Sequence, residues 1–318
     1  MYRNVMVPID GSSFSREAVL QGLRIASRCG ATLRLVRVAA NPAPIGAPEG
    51  FVGVNLASRE IHNSALAELY SIAADCRAHS TINVTASIEH GPVVDALIGY
   101  AKRFDVDLIV MRSHARSGLS RAWFGSVADG LIRMSGIPVM VLRQPSLATG
   151  LESGLQMKRI LVPLDGSPLA EESLRAAGKA ARVDGASLTL LRVVAPSVHR
   201  VGGDLESDIG PANALEVGEA RHYLASLFTS GSERFIGVKR RVVISDDIAG
   251  SILSMAAAEE ADLIAIATRG RGSLARATNG SVSDRVMREA QISTLVVHPT
   301  AQPVDFIYAS TAVELAGT

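Results

Sequence analysis

Tryptophan occurs once in 318 residues and cysteine twice, and neither sign of charge is in excess, with 32 lysines and arginines against 31 aspartates and glutamates. Without a basic excess the chain lacks the electrostatic footprint for a nucleic-acid backbone. The two cysteines, Cys29 and Cys76, fall in helical patterns without metal-ligand spacing and read as buried, reduced thiols. His62, His79, His90, His199, His222 and His298 are scattered and make no metal motif either. No apolar run reaches membrane-spanning length, and the opening MYRNVMVPIDGS enters a strand pattern without a charged head or a cleavage site. These absences predict a cytoplasmic protein with neither membrane nor nucleic acid as partner.

What is present is a repeat. VPIDGS at Val7–Ser12 returns as VPLDGS at Val162–Ser167, 155 positions later. The same offset relates Gly30-Ala31 to Gly185-Ala186, Arg37-Val38 to Arg192-Val193, Asp107-Leu108-Ile109 to Asp262-Leu263-Ile264, and Gly125-Ser126 to Gly280-Ser281. A register held across this distance implies duplication of a whole domain. The expected organisation is a first domain over 1–145, a linker ending at 156, a second domain over 157–300 and a tail over 301–318. The linker segment QPSLATGLESGLQ has the Gly and Ser content of a flexible connector.

Within each repeat, short apolar runs alternate with helical patterns, which argues for βαβ units and a parallel sheet. In the first repeat the pattern predicts strands at about Asn4–Ile9, Thr32–Val38, Asn83–Glu89, Val106–Met111 and Val139–Leu142. Helices are predicted at Ser13–Ser27, Leu56–Cys76, Val93–Lys102 and Ser126–Met134. The stretches Asn41–Asn55 and Ala195–Asn213, which follow the second strand of each repeat, are long enough to be mobile lids over the crevice or simple disordered loops. Near-continuous apolar strands such as LIVM need helices on both faces. The fold class is therefore α/β: two tandem doubly wound domains, each with a five-stranded parallel sheet flanked by helices. Such folds bind ligands outside the carboxyl ends of their strands.

Three strand ends carry marked residues. Asp10 and Asp165 close the first strand of each repeat and precede Gly-Ser. Each Asp, or the Ser two places on, caps the following helix, or the carboxylate points into the crevice toward a ligand hydroxyl or amine. The second end, at Val38 and Val193, offers backbone groups and apolar surface to a flat ring. The third is the loop SHARSGLSRAWFGS at Ser113–Ser126 and its counterpart TRGRGSLARATNGS at Thr268–Ser281. A loop that enters a helix at Gly-Ser presents free N–H groups and the positive end of a helix dipole, both favourable to an anion. Neither loop is a Walker loop, because no lysine followed by Ser or Thr closes it, and GRGSLA lacks the third glycine of the dinucleotide fingerprint.

VPxDGS at the start, with a loop ending in GSV before a helix and a final strand, resembles the universal stress protein family, here as a tandem two-domain member with a Rossmann-like fold. The resemblance covers both repeats and leaves out the linker and the tail. Nucleotide-binding members of that family carry G-x2-G-x9-G-(S/T), which implies ATP, with or without magnesium, held by loop backbone and hydroxyl. The pattern falls on Ala267, Gly270, Gly280 and Ser281 in the second repeat, and on Arg112, Ala115, Gly125 and Ser126 in the first. The resemblance also implies that Asp165 or Asp10 meets the adenosine and that the backbone of Val193 or Val38 lies near adenine.

The departures grade the two sites. Ala267 adds one methyl group. Ala115 in a left-handed position costs about 1–2 kcal/mol, roughly a tenfold loss of affinity. Arg112 places a long side chain at the pocket mouth, either as a plug or as a substitute phosphate donor. The second repeat is therefore expected to bind ATP, and the first to bind weakly or to serve as a pairing partner. His114 and Trp123 lie inside the first loop, as packing residues or, for His114, a phosphate contact. The resemblance further implies that the last strands, Val139–Leu142 and Thr294–Val297, pair edge to edge and remove two exposed edges, making a dimer in one polypeptide, with a homodimer of chains open. Three functions stand: a nucleotide-binding regulatory protein, an interaction module with vestigial sites, and a slow ATPase. Against the last, no Walker lysine, SGGxDS loop or histidine-rich adenylation signature is present.

Overall fold

A computed structural model describes residues 1–39, 52–112, 125–143, 156–196, 199–201, 204–206, 211–227, 237–268 and 282–298. The first half runs β1 (Asn4–Ile9), α1 (Ser13–Cys29), β2 (Thr32–Ala39), α2 (Val52–Ala78), β3 (Val84–His90), α3 (Val93–Arg103), β4 (Leu108–Arg112), α4 (Ser126–Met134) and β5 (Val139–Leu142). The second half begins with β6 (Arg159–Pro163), α5 (Pro168–Asp184) and β7 (Ser187–Val194). It adds a hairpin, β8 (His199–Val201) and β9 (Asp204–Glu206), before α6 (Pro211–Ser226). It closes with β10 (Val238–Ile244), α7 (Ile248–Ala258), β11 (Leu263–Ala267), α8 (Val282–Glu289) and β12 (Ser293–Val297).

Apart from the antiparallel β8–β9 hairpin, the strands form one ten-stranded sheet in the order β10-β7-β6-β11-β12-β5-β4-β1-β2-β3. Within each half the pairing is parallel; β12 and β5 meet antiparallel, with Leu295 opposite Met140. Alternate strand residues feed two apolar layers. Val5, Val7, Leu33, Leu35, Leu108 and Val110 pack under α1 and α2, while Met6, Val36, Ile109 and Met111 pack with α3 and α4. Side chains pointing both ways are buried because helices cover both faces, so these strands read as continuous apolar runs.

Several repeated residues have local structural work. Ser12 and Ser167 cap α1 and α5, each hydroxyl accepting from the backbone N–H three residues on. Gly30 and Gly185 end those helices in the left-handed region, at φ 65° and 71°. Asp107 accepts from the N–H groups of Arg3 and Asn4, and Asp262 from those of Lys158 and Arg159. The recurring Asp-Leu-Ile is thus a tie across the foot of the sheet.

Two expectations change. The fourth strand starts at Leu108 rather than Val106, because Val106 donates its N–H to the Ala101 carbonyl and belongs to the closing turn of α3. The stretch Ala195–Asn213, expected as a lid or a disordered loop, contains the β8–β9 hairpin and the start of α6; likewise α2 already begins at Val52, inside the stretch Asn41–Asn55 expected to be of that kind.

Candidate nucleotide clefts

At the carboxyl ends of the strands each half opens a cleft. The first has a volume of about 350 Å³ and the second about 580 Å³, both in the range of small-molecule sites. Asp10, Val38, Arg112, Gly125 and Ser126 line the first. Asp165, Val193 and Ala267 line the second, together with Val282 and Ser283 at the start of α8. Gly270, Gly280, Ser281 and Ala115 lie outside the described residues, as do His114 and Trp123.

The two Asp readings merge in the structure. Asp165 Oδ1 accepts from Ser167 N–H at 2.9 Å and Ser167 Oγ at 2.5 Å, and Asp10 does the same with Ser12 at 2.9 and 2.6 Å. Each carboxylate therefore fixes the turn that its serine uses to cap the helix, while also lining the cleft. Between them stands Gly11 or Gly166, both at φ 83°, a left-handed conformation that a side chain disfavours. A Cβ on Gly11 would also stand 3.2 Å from Arg37 Nη2.

Further lining residues come from elements that no short motif marks. Ile248 and Ile252, one turn apart on α7, add an apolar wall to the second cleft, and Glu216 of α6 adds a carboxylate. Asp247 caps α7 through the Gly250 N–H and pairs with Arg285 of α8 at 2.5 Å, joining the two helices that border the cleft. On α6, Tyr223 Oη donates to Glu171 Oε1 of α5 at 3.3 Å; burial and then that carboxylate push the phenol well above its ordinary range. The 155-residue offset could have flagged Arg192, whose Nη1 donates to the Leu164 carbonyl at 3.4 Å; it offers no signal for the isoleucines.

The halves differ at the ends of β4 and β11. Arg112 is 10% exposed, pairs with Glu17 of α1 and lies with its guanidinium carbon 4.9 Å from the centroid of the Phe14 ring. Burial lowers its pKa. Its counterpart is Ala267, and the counterpart of Phe14 is Leu169, which lines the second cleft. In the first half Arg37 is likewise engaged, donating to Glu68 at 2.8 Å; the residue at the Glu68 position of the second half is Tyr223.

Among the described residues no group of three or more His, Cys, Asp or Glu side chains could hold a metal, and no helix is long and apolar enough to cross a membrane.

Comparison with known proteins agrees with this architecture. A universal stress protein of Mycolicibacterium smegmatis is 28% identical over 300 residues, covering 93% of this chain and 97% of its own. One from Mycobacterium tuberculosis is 30% identical over 196 residues, covering 60% of this chain and 62% of its own. The crystal structure of a universal stress protein from Archaeoglobus fulgidus superposes over 93% of this chain and 98% of its own with a TM-score of 0.64; at 20% identity this likeness bears on the fold alone. The sequence model of the Universal stress protein family matches residues 1–143 and again 157–298. On that double match the chain belongs to the universal stress protein family.

Proposed function

We propose that this chain is a nucleotide-binding regulatory protein of the stress response that takes ATP in its second cleft, with the first domain as its pairing partner. The observation that carries this reading is the second cleft itself, about 580 Å³, with a small residue, Ala267, where the strand gives way to the loop. The start of α8 at the same cleft turns the positive end of its helix toward phosphate oxygens. Asp165 lines this cleft and would accept from ribose hydroxyls, and Val193, Ile248 and Ile252 offer apolar surface to an adenine ring. Magnesium would arrive with the nucleotide, ligated chiefly by phosphate and water.

In this reading the domains span 1–145 and 157–300, the β5–β12 pairing makes the chain a dimer folded from one polypeptide, and the protein acts in the cytoplasm, alone or as a homodimer of chains. Binding alters which partners the pair contacts; hydrolysis is at most slow.

Calorimetric titration with ATP and magnesium tests it. About one site per chain is expected, abolished by Gly280→Val. Absence of heat, together with absence of co-purifying nucleotide, would overturn the reading in favour of an interaction module.

A further inference from the structure

We infer that the second cleft is set from across the seam between the halves: Arg143 of the first half is a positioning residue for α8, the helix whose start lines that cleft. This inference rests on the proposed nucleotide binding and names the residue through which the first half acts on it.

α8 has eight residues, about two turns, and a helix of that length depends on tertiary contacts for its place. Its first residues, Val282 and Ser283, line the second cleft. Met287 stands five residues on, about 7.5 Å along the axis. It belongs to the last turn, where carbonyls have no helical N–H to meet. Arg143 answers that need from the other half, its Nη2 donating to the Met287 carbonyl. Arg143 directly follows β5, and its own N–H donates at 3.4 Å to the hydroxyl of Ser293, the first residue of β12. A cation at the carboxyl end of a helix also complements the dipole whose positive end faces the cleft. One residue of the first half thus fixes the far end of α8 and the strand that follows it.

A second zone of the seam points the same way. Ile132 and Arg133, in the last turn of α4, border the same narrow space as Thr268, Met287 and Arg288. Arg133 is itself steadied by Asp129 at 2.8 Å. Thr268 is where β11 gives way to the loop, and its N–H donates to the Val297 carbonyl at 2.9 Å. The strand end before the loop and the helix after it therefore both face the first half. The charged hold on α8 from its own half, Arg285 with Asp247, has side chains 40% and 51% exposed and is screened by water and salt. Arg143 instead meets its carbonyl in a half-buried setting, where losing the donor leaves an acceptor short of water. The repeat breaks at this residue: His298 occupies the position equivalent to Arg143, so this guanidinium has no copy there in the second half.

The test combines ATP titration with amide hydrogen exchange on the full chain, using Arg143→Met, which keeps bulk without a donor, Arg143→Gln, an uncharged donor, and Arg143→Lys, a charged one. Without nucleotide, Arg143→Met is expected to speed exchange in α8 about tenfold while α3 exchanges as in the wild type. The same variant is expected to weaken ATP binding roughly tenfold. Arg143→Lys should stand near the wild type in both readouts and Arg143→Gln between; melting curves establish that each variant folds, and the glutamine variant replaces the methionine one if the latter does not. Unchanged exchange in α8 would overturn the inference. So would faster exchange with unchanged ATP affinity, which would leave Arg143 a contributor to stability alone. If the wild type itself gives no heat with ATP, the nucleotide reading falls, and exchange in α8 alone decides whether the first half holds that helix.

Discussion

The smallest decisive unit is the Asp-Gly-Ser turn. Asp165 organises Ser167, and Ser167 caps α5. Removal of an N-cap hydroxyl costs about 1 kcal/mol. Ser167→Ala and Ser12→Ala should therefore each lower stability by about that amount in denaturant unfolding. Ser167→Ala should also weaken ATP binding, because Asp165 keeps the N–H of residue 167 but loses the hydroxyl that helps to orient it; unchanged affinity would mean the carboxylate is held without that hydroxyl. Asp10, Asp165, Val38 and Val193 were legible in the sequence because each ends an apolar run, the position where a doubly wound fold presents its chemistry. Arg112 was legible as an oddity in the loop pattern. Its partners Phe14 and Glu17 were not, since almost a hundred positions and two strands separate them from it and only the fold makes them neighbours.

At the scale of elements, strands such as Asn4–Ile9 and Val139–Leu142 were readable to the residue because burial on both faces leaves an uninterrupted apolar run. The β8–β9 hairpin was not, because HRV and DLE have neither the length nor the alternation of a strand. The α7–α8 pair shows how elements near a cleft are held by charge. The Gly250 N–H, and after it Arg285, keep the Asp247 carboxyl below the ordinary carboxylate range. A lowered native pKa contributes stability above the unfolded value, and that contribution is lost as pH falls through the native one. Asp247→Asn should thus melt lower than the wild type at neutral pH, with the difference shrinking below about pH 4. Melting curves collected from pH 7 to pH 3 check this; a difference independent of pH would assign the loss to the cap geometry alone.

The whole molecule is held together by more than the β5–β12 ladder. Arg24 of α1 reaches Asp184, the last residue of α5, at 2.5 Å, and the Asp184 side chain is fully buried. Its other oxygen accepts from the Met157 N–H, at the entrance to the second half. The repeat breaks at this point: Cys29 stands at the position of Asp184, and Lys179 at that of Arg24. Removing one member of a buried pair costs about 3–5 kcal/mol, since the remaining charge stays desolvated. Arg24→Ala should destabilise the chain on that scale and separate the unfolding of the halves in calorimetry, whereas Arg24→Ala/Asp184→Asn should recover part of the loss. A single unshifted transition for Arg24→Ala would show that the ladder alone unites the two halves.

The antiparallel meeting of β5 and β12 inside one polypeptide has a consequence for inheritance. In a symmetric pair of identical subunits every substitution arrives twice, and a change that ruins one pocket ruins both. Here each pocket has its own codons. Arginine at position 112 and alanine at position 267 coexist because the two positions mutate separately, so each half is free to change its cleft without changing the other.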